Sequence, residues 1–344
     1  MARHGWFDKP ITAYALIATA AVLAGCSASG GGSRSGTGTP STGAAPMTLS
    51  AVLAELPVTS WDTGSLEFGD VAQVGTLNGG AEVSGPIMAY VGVGESALAS
   101  FEQQDVGVLG FDPLKVTVAV TVGQLPHQAT AFYGSFDAAA VGRKLSAAGF
   151  KDKGAADGGE LWAIADDDQA TMTNPTGDPQ LNVLDVTADR IVYGGSTAEV
   201  EALAASASTP LSTDAGLAAI ANCLGSARAA VIGPATVAAG SPMIGIGLLA
   251  DSGTDASEEL CVSAQSTTAA TAIESHWIQQ IQNGRSRGID AAWSTLLVDP
   301  QATTASNSPA VARLTAKPAA GVKAGTLLQA YYGSSTDVSS LITP

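Results

Sequence analysis

The chain has 344 residues, enough for one large domain or two and for a sizeable buried core. Charged residues make up 13% of it, and Ala, Gly, Ser and Thr are heavily used. With 31 Asp plus Glu against 15 Lys plus Arg, the net charge is -16. That sign repels phosphate backbones, so no nucleic acid is expected among its partners.

Residues 1–25 read as a signal peptide. Arg3 and Lys9 supply positive charge, and an apolar run from Ile11 to Leu23 follows. The run is short for a membrane span and has the length of a signal-peptide core. Leu23-Ala24-Gly25-Cys26 then resembles the lipobox of bacterial lipoproteins. The resemblance implies cleavage between Gly25 and Cys26 and a diacylglyceryl group on the Cys26 sulfur. An ordinary secretory signal would instead leave a reactive free thiol at the mature N-terminus. Residues 26–46 are the lipidated cysteine and a Gly/Ser/Thr/Pro-rich tether. About 20 such residues reach roughly 25 Å as a flexible coil.

Residues 47–112 are expected to be mainly helical. Apolar positions from Met47 to Leu56 have helical spacing and stop at Pro57. Asp70 is placed to cap a short helix through Val71, Val74 and Leu77, ended by Asn78-Gly79-Gly80. Ser96 to Gln104 is a further helix candidate, with Leu98 and Phe101 on its inner side.

From residue 113 the pattern changes to strands. Val116 to Val122 alternates strictly, which predicts a half-buried strand with four valines on one face. Gln124 to His127 turns the chain and Ala129 to Ser135 returns. Asp137 starts a helix with Val141, Leu145 and Ala148 on one face, closed by Gly149. Leu161 to Ala165 reads as a strand, Asp166 to Pro179 as a polar loop, and Leu181–Val186 with Arg190–Tyr193 as a hairpin. Ser196 or Thr197 caps a last helix through Val200 and Leu203.

The remainder, 211–344, is read as a second copy of 113–210. Asp214 to Leu224 is a helix and Ala227 to Ile232 a strand; Ile244–Leu248 and Leu260–Ala264 pair, and Thr268 to Gln282 is the helix. Trp293–Val298, Val311–Ala316 and Leu327–Tyr331 are expected strands. Ile191 to Leu203 runs parallel to Ala330 to Leu341 with one deletion, and Trp162 and Trp293 open what read as equivalent strands. The fold expected is therefore α+β, two ββαβββα pseudo-repeats with antiparallel sheets and helices on one face, preceded by the helical segment.

The lipobox, the tether and Phe132-Tyr-Gly-Ser-Phe-Asp137, leading to a helix that ends Ala148-Gly-Phe150, resemble a broad class of actinobacterial (mycobacterial-type) secreted lipoproteins. The resemblance brings no catalytic residues with it. Outside Cys26 the chain has two cysteines, and in an oxidising compartment Cys223 and Cys261 are expected to form one disulfide. Closing a loop of that size is worth on the order of 4 kcal/mol.

No constellation for chemistry stands out. His127 falls in a turn and His276 beside Trp277 on a helix, neither at metal-ligand spacing from another ligand. Asp166-Asp167-Asp168 and Asp178 lack the alternating register of a calcium loop and read as solvated. Gly92-Val-Gly94 and Gly245-Ile-Gly247 lack the Lys-Ser/Thr of a phosphate loop, and the second reads as strand glycines that allow close packing. Tyr331, Tyr332, Trp277 and Trp293 are assigned to core packing rather than to a groove. No catalytic residue, metal or cofactor is expected. The expected function is a non-enzymatic binding or protein-interaction module, lipid-anchored on the outer side of the cell membrane, its partners an envelope protein or an apolar ligand. A carrier of a lipid or other apolar ligand is the alternative, and a hydrolase the third reading.

Overall fold

A computed structural model describes residues 47–343 apart from 61–63, 81–84, 97, 99–106, 157–158, 168, 170–177, 237–240 and 334. The expected signal peptide, Gly25, Cys26 and the expected tether lie outside the described residues, as does most of the Ser96–Gln104 helix candidate. Residues 46–344 form one compact unit.

The helices are α1 (Leu49–Glu55), α2 (Val71–Leu77), α3 (Ala138–Ala147), α4 (Thr197–Ala204), α5 (Ala215–Leu224), α6 (Thr267–Asn283), α7 (Trp293–Leu296), α8 (Thr326–Gly333) and α9 (Ser335–Ile342). The strands are β1 (Leu66–Gly69), β2 (Val118–Gln124), β3 (His127–Tyr133), β4 (Lys151–Ala156), β5 (Gly159–Ala163), β6 (Val183–Val186) and β7 (Arg190–Gly194). They continue as β8 (Ala229–Pro234), β9 (Met243–Ala250), β10 (Ala256–Ala264), β11 (Arg285–Ser286), β12 (Ala291–Ala292), β13 (Leu297–Asn307) and β14 (Ala310–Pro318). Among the described residues no helix is long and apolar enough to cross a membrane.

Twelve strands make one antiparallel sheet in the order β13-β14-β10-β9-β8-β1-β2-β3-β7-β6-β5-β4. The segment expected to be helical thus supplies β1, which pairs with β2 on one side and β8 on the other. Four residues with one polar side chain, Leu66-Glu67-Phe68-Gly69, are too few to show strand periodicity, and their two neighbours come from distant sequence.

The local start signals hold. Asp70, Asp137, Ser196, Asp214 and Ser266 each accept a backbone N–H as helix N-caps, and Ser196 forms a capping box with Glu199. Each removes an orphan donor from the first turn.

The expected single helix layer is corrected. α1, α4 and α5 cover one face of the sheet, packing Leu53, Leu203 and Ile220 against Phe68, Val120 and Ile232. On the other face α3 packs Val141 and Leu145 against Phe132 and Ile191. There too α6, α8 and α9 set Trp277, Leu327 and Val338 against Ile246, Leu260 and Leu314. Helices on both faces explain why β2 is buried at Ala119 and Thr121 as well as at its valines, so that the strand is not half-buried. Val116 leaves the valine row, packing with Val71 and Phe111 on the opposite face.

The ββαβββα order does not recur as expected. α3 is followed by four strands, whereas α6 is followed by a two-stranded ribbon, α7, two strands and two helices. Leu327–Tyr331 is helical rather than extended, and Trp293 begins α7 while Trp162 sits inside β5. The matched Gly-Ser-Thr stretches therefore follow a strand in one case and a helix in the other. Leu, Gln and Ala favour helix, and a cap from β10, described below, starts it.

Cys223 and Cys261 are disulfide-bonded, Cα atoms 6.1 Å apart, tying α5 to β10. Strand glycines do serve close packing: a Cβ at Gly245 would lie 2.6 Å from Ile220 Cγ2 and 2.8 Å from Leu224 Cδ1.

Candidate functional site

The centre of the sheet carries a polar row on the face of α8. Glu67 in β1 stands opposite Thr121 in β2, which stands opposite Thr130 in β3. The two threonine hydroxyls are 2.7 Å apart, and Thr121 Oγ1 donates to the Gly94 carbonyl at 2.9 Å. The Gly94 N–H donates to Glu67 Oε2 at 3.3 Å. One loop residue therefore answers two polar side chains that the sheet would otherwise bury unmet.

Glycine permits this approach. Gly94 has φ +86°, and a Cβ there would lie 2.5 Å from the Ala119 carbonyl oxygen, while a Cβ at Gly69 would collide with the Val93 carbonyl. The Gly92-Val-Gly94 stretch thus lays backbone on backbone.

α8 closes the other side. Glu258 in β10 is fully buried, and its carboxylate accepts the N–H groups of Gly325 at 2.9 Å, Thr326 at 3.0 Å and Leu327 at 2.7 Å. The Tyr90 hydroxyl donates to it at 3.4 Å. Burial raises the Glu258 pKa, and the three backbone N–H groups and Tyr90 pull it back. A carboxylate under the first turn of a helix is favoured by the orphan donors and the helix dipole together.

So fixed, α8 presents Tyr331 and Tyr332, whose rings meet edge to face at 5.4 Å. The Tyr332 hydroxyl donates to Glu67 Oε1 at 2.5 Å. Tyr332 is exposed as a residue, with its hydroxyl end turned onto Glu67. Burial there, and then the Glu67 carboxylate, push its pKa upward and keep the proton on it.

Two concavities meet at Glu67 and Tyr332. One of about 880 Å³ lies between Val91, Val93, Ile289, Leu328 and Gln329. The other, of about 370 Å³, lies between Gln124, Leu125, Gln128, Val231, Pro234 and Tyr331. Together they form a groove over the central strands. Gln128 Nε2 donates to Ser96 Oγ across its wall.

The aromatic assignments divide. Trp277 and Trp293 are buried in the core as expected, and Tyr331 packs partly buried against the core while also lining the groove. Tyr332 is exposed on the groove, which corrects its assignment to packing. Helical structure at 326–333 is what turns the two rings onto this wall. Glu67, Glu258 and Gln329 carried no signal, since single polar residues in apolar surroundings read as surface.

The other sequence candidates lie elsewhere. His127 is exposed at the start of β3, its Nδ1 3.1 Å from Glu199 Oε1. His276 is half-buried on α6, its Nε2 2.9 Å from the Ser340 carbonyl. Asp167 accepts from the N–H and hydroxyl of Thr197, both at 2.8 Å, and Asp178 accepts from the Gln180 N–H at 2.7 Å. Asp168 lies outside the described residues. Cys223, Cys261 and Glu259 bring three ligand-type atoms within 4.8 Å of one another, but the sulfurs are joined and Glu259 is paired with Arg313.

No protein-family model and no curated protein matches the chain. Among solved structures, crystal form III of TP0453 overlays 76% of this chain on 92% of its own, at 9% identity and a TM-score of 0.37. A likeness that loose carries no argument about this chain.

Proposed function

We propose that this chain is a lipid-anchored binding module of the cell envelope, held on the outer side of the membrane through Cys26, with the groove at Glu67 and Tyr332 as its binding surface. The anchor is supported by the succession of signal core, lipobox and tether in residues 1–46, and the Cys223–Cys261 disulfide fits an oxidising compartment. The mature protein is read as of actinobacterial lipoprotein type on the same residues. The two halves of the sheet are read as a duplicated unit, supported by the matching places of β2-β3-β7 and β9-β10-β14 on either side of the β1–β8 pair.

The observation that carries the groove is where apolar side chains stay exposed. Among the described residues the large exposed ones are Val58 at 38%, Leu125 at 68% and Tyr332 at 56%, and the last two line the same concavity. Scattered exposed apolar residues need no explanation, but two on one groove mark a contact surface.

Cysteine footprinting tests this. In Leu125→Cys, alkylation in intact native envelopes should be several-fold slower than in purified protein, while Lys153→Cys on the exposed β4 edge should react equally in both. Equal rates at residue 125 would remove the groove from the proposal. Cys26→Ser should release the chain from the membrane fraction, and retention would remove the anchor.

A carrier of an apolar ligand is the second reading. The floor of Ala89, Val91, Val93, Ile289 and Leu328 in the larger concavity favours it. A stoichiometric lipid extracted from envelope-purified protein would select it.

A further inference from the structure

The groove's chemistry narrows what it takes. Its most exposed ring, Tyr332, is held rather than loose, because its hydroxyl is bonded to Glu67, itself anchored by the Gly94 N–H. A pinned aromatic face offers contact area with little rotamer entropy left to lose. Around it stand the side-chain amides of Gln124, Gln128 and Gln329, of which Gln124 and Gln329 are exposed. The Gln124 and Gln329 amides offer donors and an acceptor, and the Gln128 amide, which already donates to Ser96, keeps its carbonyl oxygen and second N–H. Among the described residues neither concavity is lined by a lysine or arginine, and the charged side chains lining them are the carboxylates of Glu67 and Asp337.

These features exclude some ligands. An anionic headgroup, phosphate or sulfate would meet the Glu67 carboxylate and no lysine or arginine of the lining, in a chain whose net charge is already -16. The buried Asp337 carboxylate is taken up by Ser286, Arg287 and Gly288. A flexible acyl chain would leave the exposed Gln124 and Gln329 amides unused. What fits is an uncharged molecule with C–H-rich faces to lie on a tyrosine ring and many hydroxyls to meet amides and a carboxylate. It must also be long enough to span two concavities of about 880 and 370 Å³ that meet at Glu67 and Tyr332.

Resting on the groove reading above, we infer that the groove binds a neutral oligosaccharide, with Tyr332 as the stacking platform and Gln124, Gln128 and Gln329 as hydrogen-bonding partners for its hydroxyls. Glu67 acts as a positioning residue that fixes the platform.

The test uses the lipidated mature chain in a sugar-free zwitterionic detergent. It is titrated calorimetrically with neutral hexasaccharides of α- and β-linked glucose, mannose and galactose, and with a sulfated hexasaccharide. Saturable binding of at least one neutral hexasaccharide is expected, and none of the sulfated one. Tyr332→Ala should weaken binding at least about tenfold, loss of a stacking contact being worth about 1.4 kcal/mol. Tyr332→Phe, which keeps the ring but loses the Glu67 bond, should weaken binding by less than Tyr332→Ala does, and Gln329→Ala should weaken it several-fold. Both sites are exposed, so folding is expected to survive, and an unchanged thermal transition checks it. If no neutral hexasaccharide binds, or Tyr332→Ala binds as the parent does, the inference fails. Should Leu125→Cys still be protected in envelopes when no saccharide binds, the groove reading stands and only the ligand class falls.

Discussion

Glu95 lies under the loop that carries Gly94, 1% exposed, and its Oε2 has no hydrogen-bond partner. Burial first, then the charge of Asp112, raises its pKa from 4.5 to about 8. The folded chain therefore holds a proton at neutral pH that the unfolded chain releases. Stability from this group is complete below the unfolded pKa and is lost as pH rises towards 8. At about 1.4 kcal/mol per pKa unit, the full swing between 4.5 and about 8 is on the order of 5 kcal/mol. Glu95→Gln, which keeps the shape and removes the titration, should raise Tm at pH 8.5 and leave it nearly unchanged at pH 5. Thermal denaturation at both values checks this, and equal shifts would exonerate Glu95. None of this was legible beforehand. A lone Glu between Gly94 and Ser96 reads as solvated, and only the packing of distant chain over it makes it a buried acid.

At the scale of elements, α8 shows how one residue on a strand decides the conformation of a segment far along the chain. The alternation rule places the adjacent Glu258 and Glu259 on opposite faces of β10. Both faces are covered, so both carboxylates are buried, one under the start of α8 and the other against Arg313. Sequence reading began this strand at Leu260, whereas pairing with β9 and β14 extends it back to Ala256 and Glu258. Two acids in a row mask a strand to any reading that counts apolar residues. Glu258→Gln should leave N–H donors of Gly325, Thr326 and Leu327 facing an amide that cannot accept from all of them, at a cost of about 2 kcal/mol. Hydrogen exchange at Leu327–Ala330 should then speed up ahead of exchange in β9. Protection of α8 that falls only in step with the rest of the molecule would show that the cap does not hold this helix.

For the molecule as a whole, the continuous sheet has a mechanical consequence. β1 lies at its centre, pairing Phe68 with Val120 on one side and with Ala230 on the other. The two halves therefore share a ladder, with packed helices on both faces, and are expected to unfold together. Denaturant unfolding of the mature chain should give one transition, coincident by far-ultraviolet circular dichroism and by tryptophan fluorescence. The four tryptophans beyond residue 25, Trp61, Trp162, Trp277 and Trp293, are spread over both halves of the chain. Two separated transitions would show that the β1–β8 pairing does not couple them. A fragment ending at residue 214 would expose β1 as an open edge and is expected to associate through it.

What the amino-acid order settled alone was local: the turn at Leu125-Pro126, the caps at Asp70, Asp137 and Ser196, the hairpin 181–194 and the one pair of cysteines left to join. Such features depend on neighbours within a few residues, so they leave periodic or compositional marks. Tertiary structure alone decided that helices cover both faces, that Leu66–Gly69 joins the two halves, and that Tyr331 and Tyr332 stand on a helix beside Glu67. Each depends on contacts between segments remote in sequence, where burial on a second face and partners for polar groups come from elsewhere in the chain, and local pattern holds no record of them.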